Sequence, residues 1–207
     1  MNIIRLLSLQ QINYRPLSVH SRLFCTIMVF ILTFASSSLM AKENTSNRQQ
    51  SYRTDLDAVT DNRFASDFEL PDRNGNRHRL ADYQGRIVVV NFWSTWCIPC
   101  RIEMPALERA WKRLEPSGIV LLAIAMQDEL SSVNNFLDQS PVSFPVLLDH
   151  DGKVAGEWRV VGIPVTYILD ASGRIVYKAT GIREWDSDSI ISIIAALSKN
   201  QETGESK

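Results

Sequence analysis

The stretch RIVVVNFWSTWCIPCRIEMPAL, residues 86–107, starts as an unbroken apolar run and ends around two cysteines three positions apart. Its first part, RIVVVNFW, is β-branched and aromatic with no polar alternation, the pattern of a strand covered on both faces. From Cys97 to about Leu114 the apolar residues recur at helical spacing. A buried strand passing directly into a helix points to an α/β fold and puts the cysteine pair at the junction.

A thiol at a helix start faces unpaired backbone N–H groups and the positive end of the helix dipole, both of which favour the thiolate. Cys97 is therefore the expected nucleophile. Cys100, three residues on and on the same helix surface, is placed to resolve a mixed disulfide. Pro99 fits the first helical turn, where a missing N–H costs nothing. No histidine stands between the cysteines to stabilise the thiolate further, which leans the couple toward a reductase. Pro105 interrupts the helical pattern at a cost of about 3 kcal/mol, a penalty more readily kept for geometry than by accident. Ile163-Pro164 precedes another apolar run, but only a few per cent of such bonds are cis, and local sequence alone leaves trans the default.

Other uses of the pair fare less well. A zinc site needs two further ligands, and His78 and His150 are far apart with no second close pair. A structural staple closing so short a loop restricts little of the unfolded chain. The alternative from a different functional class is a copper- or apoprotein-binding chaperone module with the dithiol as ligands, since soft thiolates suit Cu(I). No methionine- or histidine-rich companion motif accompanies it.

The remaining chain sets the context. Of 207 residues, 45% are apolar and 22% charged, enough for one domain with a core. Residues 1–41 hold Arg5, Arg15 and Arg22 and no acid, while residues 42–207 hold 19 basic and 23 acidic side chains. No concentrated basic face supports nucleic-acid binding. Arg22, then LFCTIMVFILTFA (residues 23–35), then SSSLMA has the order of a secretory signal peptide. Counted through Met40 the run nears the ~20 residues that span a bilayer, so residues 1–41 are read as a signal peptide or N-terminal membrane anchor, with a tether through 23–41. Cys25 lies inside that run as a small apolar residue. The expected location is the periplasm or the extracytoplasmic face of the inner membrane, where thiols tend to oxidise. Polar residues 42–62 are expected to be a flexible linker, 63–199 the folded domain, and 200–207 a disordered tail.

Within 63–199, DFELPDRNGNRHRL gives a hairpin about Asn74-Gly75. GIVLLAIAM and FPVLLD give buried strands. Ser131 is expected to cap a helix through Gln139, and GKVAGEWRV to form a short one. VTYILD and GRIVYKATG meet at a turn-rich ASG, suggesting an antiparallel pair. Asp186 or Ser187 caps a last helix whose Ile190, Ile191, Ile194 and Leu197 form one buried stripe. Buried strands alternating with helices imply a central sheet between helical layers.

W-C-x-P-C at 96–100, Pro105 in the following helix and Ile163-Pro164-Val165-Thr166 together resemble the thioredoxin superfamily. The hydrophobic N-terminal segment and residues 68–107 and 144–181 are similar to its TlpA/ResA-type branch of extracytoplasmic thiol:disulfide oxidoreductases, several of which act in cytochrome c maturation. The resemblance implies a thioredoxin-like fold: a central mixed β-sheet flanked by helices, with an N-terminal β-hairpin and a central αβ insertion. It implies that Cys97 attacks and Cys100 resolves as a redox-active disulfide, with no cofactor and no metal. It makes Pro164 a cis-proline facing the disulfide, with the backbone at Ile163 holding a partner's extended segment. Trp96 would pack beside the site. Glu103 matches an acid that modulates thiol acidity in this branch. Asn91 departs from ordinary thioredoxins, which carry a buried aspartate there, so Glu103 becomes the candidate base for Cys100; its bland reading is a solvated surface acid. Partners implied are protein disulfide substrates and a membrane electron-donor protein that re-reduces the pair. A peroxiredoxin would need threonine and proline where this chain has Ser94 and Val90.

Overall fold

The computed structural model describes residues 53–202. The proposed export segment and most of the polar linker lie outside these residues, as does the end of the expected tail. Among the described residues, no helix is long and apolar enough to cross a membrane.

The strand expected from RIVVVNFW is β4, Val88–Trp93, and all six of its residues are buried. It lies in the middle of a six-stranded sheet of order β1 (Asp57–Ala58), β8 (Ile175–Thr180), β7 (Val165–Leu169), β4, β5 (Val120–Met126), β6 (Val146–Asp149). Its parallel neighbour is β5, Val120–Met126, followed by β6, Val146–Asp149, also parallel. On the other side run β7, Val165–Leu169, and β8, Ile175–Thr180, antiparallel to β4 and to each other respectively. The sheet is therefore mixed.

Alternation along β4 allots its side chains to two cores. Val89 and Trp93 join the cluster built by Met104, Leu107 and Leu114 of α1 (Ile98–Leu114), Val133 and Leu137 of α2 (Leu130–Gln139), and Ile190 and Ile194 of α4 (Asp188–Glu202). Val88, Val90 and Phe92 join the opposite cluster with Phe68, Leu70 and Trp158. That second face is covered by the hairpin of β2 (Glu69–Pro71) and β3 (Arg77–Arg79), the 3-10 turn Leu80–Tyr83, and short α3 (Lys153–Glu157). Burying each such side chain contributes about 1.5–3 kcal/mol, so a strand contributing to both clusters anchors the molecule. The segment α2, β6 and α3 lies between β5 and β7, the inserted αβ unit of the sequence reading. In the hairpin, Gly75 adopts φ 87° while the Asp72 carboxylate accepts from the Asn74 and Asn76 amides at 2.8 and 2.9 Å. The Asn-Gly signal marked that turn correctly.

Three boundaries differ from the sequence reading. Helix α2 starts at Leu130 with Glu129 at its N-cap and no side-chain cap, so Ser131 is inside the first turn. Gln127 leaves β5 in the left-handed region (φ 51°) and brings the chain into helix earlier than the serine signal suggests. Helix α4 continues to Glu202, past the expected end at 199, after Ser187 Oγ accepts from the Ile190 amide at 3.4 Å. The largest correction concerns residues 53–62, assigned to the flexible linker. Residues Asp57–Ala58 form β1, antiparallel to β8, and Val59 donates its amide to the Val176 carbonyl at 2.9 Å. Arg183, only 1% exposed, reinforces this pairing, since its Nε donates to the Asp55 carbonyl at 2.8 Å. A buried guanidinium needs its donors paired, and the polar segment supplies an acceptor that its composition does not advertise.

Deleting residues 53–59 is accordingly expected to lower stability by about 1–3 kcal/mol, because it strips acceptors from a buried cation. Urea unfolding of the full chain and the deletion variant checks this; a dispensable linker would leave the midpoint unchanged.

Candidate active site

Strand β4 ends at Trp93, and Ser94, Thr95 and Trp96 carry the chain to Cys97, the N-cap of α1. At φ −82° and ψ 101° Cys97 is extended, and its sulfur faces the free amides of the first turn. The Cys100 N–H donates to Cys97 Sγ at 3.2 Å. The two sulfurs are bonded at 2.08 Å with Cα atoms 5.3 Å apart, so the pair read from the sequence is a disulfide. Cys97 is 5% exposed and Cys100 fully buried, which leaves Cys97 the accessible sulfur. Pro99 occupies the first turn, and Pro105 sits inside the helix on its exposed side.

Opposite the disulfide, the Ile163–Pro164 bond is cis. The Ile163 carbonyl oxygen lies 3.8 Å from Cys97 Sγ. Residues 66 apart in sequence thus meet, because β7 runs antiparallel to β4 and begins where β4 ends (Phe92 opposite Val165). Trp96 is 65% exposed beside Cys97 in the chain.

Glu103 is one helical turn beyond Cys100 and, like it, on the inward side of α1. It is 2% exposed, which removes its reading as a solvated surface acid. Asn91 of β4 donates from Nδ2 to Glu103 Oε1 at 3.0 Å and to Thr166 Oγ1 at 2.9 Å. Trp185 Nε1 donates to Glu103 Oε2 at 3.1 Å. Burial pushes the Glu103 carboxyl up to about 7, and the Trp185, Asn91 and Arg183 contacts only partly pull it back. A protein carboxyl that exchanges its proton near neutrality is therefore stacked one turn below the inner cysteine. Asn91 does not itself titrate; it orients the acid that does.

The sequence reading assigned no role to Arg183, and it named Thr166 only as part of the Ile163-Pro164-Val165-Thr166 motif. The pairing of Asn91 with Thr166 follows from strand register, which a single sequence does not display. His78 bonds Tyr83 at 2.6 Å within the hairpin region, and His150 lies with exposed Glu129. Among the described residues, no group of three or more His, Cys, Asp or Glu is gathered to hold a metal ion.

Known proteins resemble this chain in sequence and fold. Residues 62–178 match the AhpC/TSA family. Thiol-disulfide oxidoreductase ResA of Geobacillus kaustophilus (strain HTA426) is 34% identical over 128 residues, covering 62% of this chain and 74% of that protein. The Bacillus subtilis (strain 168) protein of the same name is 34% identical over 125 residues, covering 60% and 70%. A crystal structure from Chlorobium tepidum, assigned as thiol:disulfide interchange protein DsbE, superposes with TM-score 0.62 at 28% identity, over 70% of this chain and 99% of that one. The fold that carries this disulfide and cis-proline is thus shared with proteins named for thiol exchange, and the chain belongs to the AhpC/TSA family as a thiol-disulfide oxidoreductase of the ResA type.

Proposed function

We propose that this chain works outside the cytoplasm as a reductase of protein disulfides, apocytochrome c during its maturation being the substrate that the ResA-type resemblance suggests. The observation that carries the reading is the Cys97–Cys100 disulfide at the α1 N-terminus, with Cys97 Sγ against the Ile163 carbonyl and cis-Pro164. In the reduced state Cys97 is the accessible thiolate, stabilised by the first-turn amides. It attacks one sulfur of a substrate disulfide; the other sulfur leaves as a thiolate, and a mixed disulfide joins enzyme and substrate. Cys100 then loses its proton and attacks Cys97 Sγ, which breaks the mixed disulfide and releases the second substrate thiol. Two electrons pass from the dithiol to the substrate, and the enzyme is left as the Cys97–Cys100 disulfide. Glu103 is the acceptor for the Cys100 proton, supported by its burial beside that residue and by its affinity for a proton near neutrality. Ile163 and Pro164 hold the substrate segment as an added strand, and Trp96 flanks it. The reducing direction rests on the Ile98-Pro99 spacer, which offers no histidine to the thiolate. Export rests on residues 23–41, which either tether the domain or are removed. Recovery of the dithiol then requires a membrane protein that carries reducing equivalents outward.

Cys97→Ser is expected to abolish reduction of an insulin disulfide substrate, while Cys100→Ser accumulates mixed disulfides visible on non-reducing gels. Full activity in Cys97→Ser overturns the mechanism. Glu103→Gln is expected to slow resolution at least ~10-fold at neutral pH, general acid–base groups being worth typically 10²–10⁴; the inflection near pH 7 in the wild-type rate profile should vanish with it.

The same carboxyl marks stability. Folding raises Glu103 from 4.5 to about 7, so between those values the folded chain holds a proton that the unfolded chain has released. Its stabilising contribution is complete below pH 4.5, falls as pH rises through that window and is gone above about 7, a change of at most about 3 kcal/mol. Urea midpoints measured at pH 5 and pH 8 should therefore differ less in Glu103→Gln than in wild type; equal differences would show that the carboxyl ionises freely.

A further inference from the structure

We infer that Asp128 is a positioning residue for Cys97, holding the three-residue loop that delivers the attacking sulfur to the helix start. Asp128 follows β5, whose last residues pair in parallel with the last residues of β4 (Trp93 opposite Ala125), so the loops leaving both strands are neighbours. Gln127 adopts φ 51°, a conformation side chains rarely take, and the turn it makes sends the next residue toward β4. The Asp128 side chain, 5% exposed, accepts from Ser94 Oγ at 2.8 Å, from the Thr95 amide at 2.7 Å and from Thr95 Oγ1 at 2.7 Å. These three neutral donors are its hydrogen-bond partners. His150 approaches only the Asp128 backbone carbonyl, at 3.4 Å, and pairs with Glu129.

The grip continues to the sulfur. Ser94 is fully buried, and its carbonyl accepts from the Cys97 amide at 3.2 Å. From carboxylate to Ser94 to Cys97 is thus two hydrogen bonds, and the Cys97 backbone so fixed is what keeps Sγ against the Cys100 amide. Misplacing a reacting atom by about 1 Å can cost 10²-fold in rate. A buried anion satisfied by donors from one loop is an expensive way to fill space; here every bond it makes falls within the three residues between strand and nucleophile.

The inference rests on Cys97 being the attacking thiol, and the test separates the two. The pH–rate profile of Cys97 toward iodoacetamide and toward a small aromatic disulfide is measured in the reduced full chain, alongside the urea midpoint. Wild type must react at Cys97 and Cys97→Ser must not; failure there removes the proposed mechanism, whatever Asp128 does. In Asp128→Ala the reaction at neutral pH is expected to slow about tenfold or more and the midpoint of the profile to move upward, because Sγ loses its alignment with the amide. If the carboxylate acted only as a nearby negative charge, its removal would move the midpoint downward, and that outcome overturns the inference, as does an unchanged profile. Asp128→Asn, which keeps an oxygen acceptor, should recover part of the rate. Should Asp128→Ala not fold, Ser94→Ala and Thr95→Val each delete one of the bonds; several-fold losses are expected from both, and wild-type profiles in both sink the idea.

Discussion

Strand β4 is paired on both edges and covered on both faces, and everything at the active end follows from where it stops. A strand so enclosed cannot slip by one residue without exchanging its two sets of side chains between the two cores. The register that sends Val89 and Trp93 toward α1 therefore sends Asn91 the same way, under Glu103. The antiparallel pairing with β7 puts Thr166 beside Asn91 and brings Pro164 to the end of the strand. The parallel pairing with β5 brings the Asp128 loop to the same end. Cysteine, proline and both buried carboxylates converge because one strand has a single permitted register.

The two carboxylates illustrate how environment divides labour between identical groups. Asp128 meets three hydrogen-bond donors from one short loop, an arrangement that holds that loop in place. Glu103 meets one indole N–H, one side-chain amide N–H and neighbouring Arg183, and its desolvation outweighs them. A carboxyl of that second kind binds and releases a proton near neutral pH without moving. One side of the dithiol is thus built for rigidity and the other for proton exchange.

Much of this was legible in the sequence. The apolar run of residues 86–93, the Asn-Gly turn, the helix from the cysteines to Leu114 and the final isoleucine stripe are local patterns, and the local periodicity fixed each of them to within a residue or two. The placement of Cys97, Cys100 and Pro99 at a helix start was readable because it depends on sequence neighbours. Glu103 was readable as a position but not as a buried group, since burial depends on Trp185, 82 residues away. Arg183 and the strand at Asp57–Ala58 escaped for a related reason. A polar segment reads as a linker unless one knows that a guanidinium lies beneath it with donors to satisfy. The cis bond at Pro164 was recoverable only from family resemblance, because nothing in three or four neighbouring residues distinguishes it from the common trans form.

The surface around the disulfide bears on what kind of molecule exchanges with it. Among the described residues six large hydrophobic side chains are notably exposed, and four of them, Trp96, Ile98, Ile102 and Val161, belong to the cysteine segment or to the loop leading to Pro164. A soluble chain can leave isolated apolar residues in water at little cost, but clustering them in the two segments that frame one sulfur is the arrangement of a contact face. Such a face suits a polypeptide that covers the apolar side chains as it presents its disulfide. A small disulfide could reach Cys97 but would leave Trp96 and Val161 in water, so the binding energy these residues offer is available only to a larger partner. The buried position of Cys100 fits the proposed order of events, in which it acts only after the partner is joined to Cys97.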